Sequence, residues 1–194
     1  MSRRQELSRK TLEVEITGTL DLDGTGTSKV DTGLGFLDHM LTALSKHSGI
    51  DLEISARGDT EVDDHHTVED CAITIAEAFD RALGDRGGIV RFGSAYAPLD
   101  ESLARAVVDL SGRGWPEVSL DFARERIGDV ATENITHFFR SLAISGRMAL
   151  HIDVLRGDND HHKAEASFKA TALALRMAIA RSGAGGVPST KGVL

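Results

Sequence analysis

The sequence predicts an α+β fold made of two similar halves, each with a sheet on one side and helices on the other. Three observations point there. Short alternating segments are interleaved irregularly with helical ones, the helical segments carry an apolar stripe, and the pattern of the first half returns in the second. His137 follows His39 by 98 residues, and Leu150 and Ile152 follow Leu52 and Ile54 by the same 98. His161-His162 follows His65-His66 by 96, as Glu165 follows Glu69, so a two-residue loop difference reconciles the offsets. The chain therefore reads as a single unit, 1–194, of two halves at approximately 1–90 and 91–194.

In order, Thr11 to Asp21 alternates as a strand that runs into the turn Asp23-Gly24-Thr25-Gly26. Thr27 to Asp31 is a short second strand. Phe36 to His47 has helical spacing and is closed by Gly49. Leu52, Ile54 and Ala56 alternate as a strand, and His66 to Leu83 is a longer amphipathic helix ended by Gly84. Val90 to Tyr96, Ser102 to Leu110 and Glu117 to Asp121 read as strands, joined by turns at Pro98-Leu99-Asp100 and Ser111–Gly114. Thr132 to Gly146 then reads as a helix, Leu150 to Val154 as a strand and Asp160 to Arg181 as a long helix, before a Gly/Pro/Ser tail. Trp115 to Glu133 carries no usable motif.

Composition narrows the function. The 194 residues hold 22 Lys and Arg against 30 Asp and Glu, a net charge of −8 with a pI near 5.4, which argues against a nucleic-acid or anionic-membrane surface. One cysteine, Cys71, excludes a disulfide framework and a thiolate zinc site. The N-terminal stretch has no apolar core of the kind a signal peptide needs, and no apolar run is long enough to span a bilayer. Eight histidines remain to be explained.

His-His-x-x-Glu gives them a geometry. Residues four apart on a helix share a face, whereas adjacent ones diverge by about 100°. His65 and Glu69 can reach one ion while His66 points to another; the same holds for His161 with Glu165, and for His162. Two ions fit better than one. Imidazole with carboxylate and no sulfur favours Mn, Fe, Co, Ni or Zn over Ca or Mg. His47 and His151 have no counterpart in the repeat and read as surface or capping residues.

A second constellation is basic: Arg91, Arg113, Lys169 and the tail Pro188-Ser189-Thr190-Lys191-Gly192, whose hydroxyls and ammonium could hold a phosphate. Glu13 and Glu15, two apart on the first strand, are both candidates for a general acid or base.

Leu37-Asp38-His39-Met40, Asp64-His65-His66-Thr67-Val68-Glu69-Asp70, Pro98–Glu101, Asp109–Arg113, Gly157–Lys169 and Val187–Gly192 together resemble imidazoleglycerol-phosphate dehydratases, in order and over essentially the whole chain. The resemblance implies a ribosomal protein S5 domain 2-like fold with sheets packed against a helical layer. It implies dehydration of imidazoleglycerol phosphate, a small phosphorylated imidazole, to imidazole acetol phosphate in histidine biosynthesis, in the cytoplasm. It implies two manganese ions (Mn2+) per active site, one on His39, His66, His161 and Glu165, the other on His65, Glu69, His137 and His162. It further implies Glu13 as acid/base, His39 as a ligand that shifts with substrate, and Arg91, Arg113, Lys169, Ser189 and Lys191 as phosphate contacts. The homo-oligomer it implies has 24 subunits with the metal sites between them. In the family the first-strand Glu is usually followed by Thr or Ser; here Val14 follows Glu13, so Glu15 stays open. A non-catalytic metal-binding shell is the rival reading, and a dinuclear hydrolase a further one. The shell gives no use to Arg91, Arg113 and the Ser-Thr-Lys tail, and no distinct water-activating carboxylate between the sites supports the hydrolase.

Overall fold

The computed structural model describes residues 3–183 and 185–194. The first half runs β1 (Arg4–Lys10), β2 (Val14–Asp21), β3 (Ser28–Asp31), α1 (Gly35–Ser48), β4 (Asp51–Gly58) and α2 (His65–Leu83). The second runs β5 (Phe92–Leu99), β6 (Ser102–Asp109), β7 (Trp115–Ser119), a small hairpin β8 (Arg126–Ile127) and β9 (Val130–Ala131), α3 (Thr132–Ser145), β10 (Ala149–Arg156) and α4 (Asp160–Ile179).

The two main sheets have the same strand order, β1-β2-β4-β3 and β5-β6-β10-β7. In each, an antiparallel hairpin pairs with a central strand whose other neighbour is parallel. Alternation puts Ile16, Leu20, Leu52 and Ile54 on the inner face of the first sheet, and Ala104, Ala106, Leu150 and Ile152 on that of the second. α1 and α2 cover the first inner face, and α3 and α4 the second. The helices then pack across the halves, α1 on α4 and α2 on α3. The sheets are thus outermost and the helices form the middle, enclosing one continuous apolar core that includes Phe138, Phe139 and Phe168.

Local chemistry sets the helix positions. Gly49 ends α1 in the left-handed conformation, φ 79°, its N–H bonding Ser45 O. At Gly93 a Cβ would stand 1.9 Å from Ala174 O, so only glycine lets β5 lie this close to α4. α4 is rich in small buried residues (Ala164, Ala166, Ala170, Ala174), which permits that approach.

Most expected elements stand within a few residues of their predicted bounds. Three differ. β1 is an additional strand, and the strand read from Thr11 begins only at Val14, because Thr11 turns the chain by accepting the N–H groups of Glu13 and Val14 on Oγ1. β5 runs on through Leu99, so the turn is at Asp100-Glu101. The motif-free segment 115–133 holds the β8–β9 hairpin, part of a strap tied down by carboxylates. Asp160 accepts the N–H groups of Ala123 and Arg124, Asp129 those of Gly35 and Phe36, and Asp64 that of Ala131.

Candidate metal centres and phosphate hollow

Cross-half helix packing assembles the histidines. His65 and Glu69 lie one turn apart on α2, and α3 brings His137 against them. His137 Nε2 stands 2.9 Å from Glu69 Oε1, His65 Nε2 stands 3.7 Å from Glu69 Oε2, and the two rings stack at 4.8 Å. The other half repeats this. His161 and Glu165 lie one turn apart on α4, and α1 supplies His39. Glu165 Oε2 is 3.2 Å from His39 Nε2 and 3.3 Å from His161 Nε2. In each trio the ligand atoms lie within 4.8 Å of one another.

His66 and His162 join neither trio within the chain. His66 Nδ1 is 3.1 Å from both oxygens of Asp59, with Glu13 Oε2 at 3.8 Å. His162 Nδ1 is 2.7 Å from Glu101 Oε2, and Asp100 Oδ2 lies 3.9 Å from its Nε2. The Asp59 hydrogen bond raises the His66 pKa above its ordinary value, and Glu101 does the same for His162. Glu101 is held well below the usual carboxylate range, first by His162 and then by the Asn159 N–H. At Glu165 burial pushes the pKa up, but Lys169 and His39 outweigh it and the net shift is down.

The trios suit a first-row divalent metal. Each offers two imidazole nitrogens and a carboxylate with no thiolate, converging on one point from rigid helices. Glu13 belongs to the turn before β2, near His66, while Glu15 is on β2 and pairs with Lys10 at 3.1 Å. His47 lies in the last turn of α1, and His151 is exposed on β10.

The basic residues divide. Arg91, Arg113, Ser189 and Lys191 line one hollow closed by the tail. Arg91 grips Asp109 through Nε at 2.7 Å and Nη2 at 3.0 Å, and donates from Nη1 to Pro188 O at 2.8 Å. Two of its five N–H groups stay available. Lys169 does not line the hollow; its Nζ is 2.7 Å from Glu165 Oε1. Sequence reasoning missed Asp59, Glu101, Asn134, Asp64 and Asp160. One signal was present, since an Asp precedes His-His in both halves.

Fold and site together define a class: a duplicated α+β protein with paired imidazole–carboxylate groups at the starts of equivalent helices. Comparison with known proteins makes it specific. The family model for imidazoleglycerol-phosphate dehydratase matches residues 32–175. The imidazoleglycerol-phosphate dehydratase of Phytophthora nicotianae is 60% identical over 192 residues, covering 99% of this chain and 42% of that longer protein. That of Chlorobium luteolum is 56% identical, covering 99% of this chain and 96% of its own length. The crystal structure of the Staphylococcus aureus enzyme superposes with a TM-score of 0.83 at 39% identity, over 92% of this chain and 99% of that one. The Pyrococcus furiosus structure, in complex with (S)-C348, gives 0.84 at 35% identity, over 96% and 99%. The chain belongs to the imidazoleglycerol-phosphate dehydratase family, whose members are hydro-lyases.

Proposed function

We propose that the chain dehydrates imidazoleglycerol phosphate to imidazole acetol phosphate, a step of histidine biosynthesis in the cytoplasm, at a site holding two Mn2+ ions. The observation that carries this reading is the pair of mirrored trios, His39/His161/Glu165 and His65/Glu69/His137, in a chain that also holds a basic hollow lined by Arg91, Arg113, Ser189 and Lys191. A metal-storage shell has no use for that hollow.

Each trio lacks the fourth ligand expected for it, and His66 and His162 are the histidines of the repeat left over. Both have Nδ1 engaged by a carboxylate, which leaves Nε2 as the coordinating nitrogen. His66 of a neighbouring copy completes the His39 trio, and His162 of a neighbouring copy completes the His65 trio. Metal binding and assembly of the 24-subunit homo-oligomer are therefore coupled.

Bound metal would supply Lewis-acid polarisation and a template for the imidazole ring. The chain's own residues do the rest. The tail hollow lies toward the other end of α4 from Glu165, Arg91 N–H bonding Ala178 O, so it grips the phosphate of a substrate held at a neighbouring copy's trios and uses remote binding energy to align the reacting carbons. Lys169 pairs with Glu165 at the edge of its trio. Glu13, half exposed and in the turn beside His66, takes the proton from the C–H carbon and serves the departing hydroxyl. His39 is the most exposed trio member and the one free to shift. The test is to strip the protein with chelator, restore Mn2+ and assay for the ketone product. Product that appears only with metal supports the reading, and no product with Mn2+ restored overturns it.

A further inference from the structure

The two trios occupy equivalent places, so their surroundings can be compared position by position. His65 answers to His161, Glu69 to Glu165 and His137 to His39. Among the differences between the halves are two at positions neighbouring the trios. Three residues before His137 stands Asn134, and three before His39 stands Phe36. Four residues after Glu165 stands Lys169, and four after Glu69 stands Ile73.

Asn134 is buried and forms a relay. Its Oδ1 accepts from His65 Nδ1 at 2.9 Å, and its Nδ2 donates to Asp64 Oδ2 at 2.9 Å. Asp64 is 3% exposed and, as a carboxylate, can only accept, so it holds the amide with its oxygen toward His65. His65 then keeps its proton on Nδ1 and presents a bare Nε2 to the trio. In the other half the ring of Phe36 meets His161 at 5.3 Å between centroids, inclined at 68°. A hydrocarbon ring supplies no such acceptor, so His161 lacks that constraint.

Lys169 adds a charge difference. Its ammonium sits 2.7 Å from Glu165 Oε1 while Oε2 faces the two histidines. An ammonium on the ligating carboxylate weakens that carboxylate as a donor and repels a divalent ion nearby. Ile73 brings no charge to Glu69. The histidines assigned to the fourth positions do not offset this, because both are held alike by carboxylates.

We propose that Asn134 is a positioning residue that makes His65/Glu69/His137 the tighter metal site, and that Lys169 keeps His39/His161/Glu165 the weaker one, so the two fill in sequence. This rests on the reading that both trios bind metal. The test is a Mn2+ titration of the chelator-stripped full-length protein, followed by calorimetry and by the electron paramagnetic resonance of free Mn2+. Two steps are expected. Asn134→Ala should weaken the tight step by about 10- to 100-fold and leave the weak one in place. Lys169→Met should strengthen the weak step and leave the tight one. Two equal sites in the unaltered protein, or a shift of both steps together in Asn134→Ala, would overturn the proposal. Should Asn134→Ala lose its fold by circular dichroism, Lys169→Met still decides, since an unchanged gap between the steps refutes it. Failure to bind Mn2+ at all would refute instead the metal reading beneath it.

Discussion

Glu101 and Glu13 stand in equivalent hairpin turns, each one residue before the strand that pairs with the central strand of its sheet, yet only Glu101 is bonded to its histidine. Glu101 Oε2 is 2.7 Å from His162 Nδ1, while Glu13 Oε2 is 3.8 Å from His66 Nδ1, where Asp59 takes the bond instead. Duplication has left one carboxylate hydrogen-bonded to its histidine and its counterpart only within ion-pair range of its own, which divides their roles. Glu13→Gln is expected to abolish turnover while Mn2+ content stays at the unaltered level. Glu101→Gln is expected to lower Mn2+ affinity about 10- to 100-fold. Elemental analysis alongside the turnover assay checks both, and near-normal turnover in Glu13→Gln would remove it from the mechanism.

The strap between the halves depends on Asp160. Its side chain is nearly fully buried, accepts from Ala123 N at 2.9 Å and Arg124 N at 2.6 Å, and pairs with buried Lys163 at 3.1 Å. Asp160→Ala leaves the Lys163 ammonium without its counter-ion and is expected to cost about 3–5 kcal/mol in urea unfolding. Pairing it with Lys163→Met should recover the part of the loss that comes from the orphaned charge and leave the part that comes from the unbonded N–H groups of Ala123 and Arg124.

Arg113 tests the phosphate hollow with little structural cost. It lines the hollow and makes one local bond, Nη1 to Ser111 O at 3.3 Å. Arg113→Ala is expected to raise KM by about 10- to 100-fold, the equivalent of losing a charged hydrogen bond worth roughly 1.5–3 kcal/mol. The thermal midpoint should hold. Inorganic phosphate should weaken as an inhibitor in parallel.

Asp51 sets an acid-side dependence away from the site. Its Oδ1 accepts from Thr25 N at 2.8 Å and Thr27 N at 2.7 Å; burial pushes its pKa up, but these amides prevail and hold it below the ordinary 3.8. A depressed folded pKa contributes stability above the unfolded value, and that contribution disappears as pH falls through the folded one. Metal-free Asp51→Asn should therefore be less stable than the unaltered protein at pH 7, with the gap closing below about pH 4. Urea unfolding at pH 7 and pH 3 measures it; a gap independent of pH would contradict the assignment.

The helices and the ligand motif were legible because both are local. The apolar stripe of α2 and the His65–Glu69 spacing lie within one element. β1 was not, since Leu7 is its only buried residue among charged and polar neighbours, and alternation cannot be read from one position. Spacing alone does not show the union of His137 with His65, or of His39 with His161, which only the family resemblance implied; it arises from α2 packing on α3 and α1 on α4 between residues far apart in sequence. Asn134 escaped for the same reason. Its importance comes from Asp64 and His65 across the helix interface, while its sequence neighbours read as an ordinary helix start.

The most direct measurement is anomalous diffraction at the manganese absorption edge from crystals of the Mn2+-loaded protein. The account predicts two peaks per chain, one at His39, His161 and Glu165 and one at His65, Glu69 and His137, each completed by a histidine of a neighbouring copy. Peaks at other residues, or none at these trios in crystals shown to contain manganese, would contradict it.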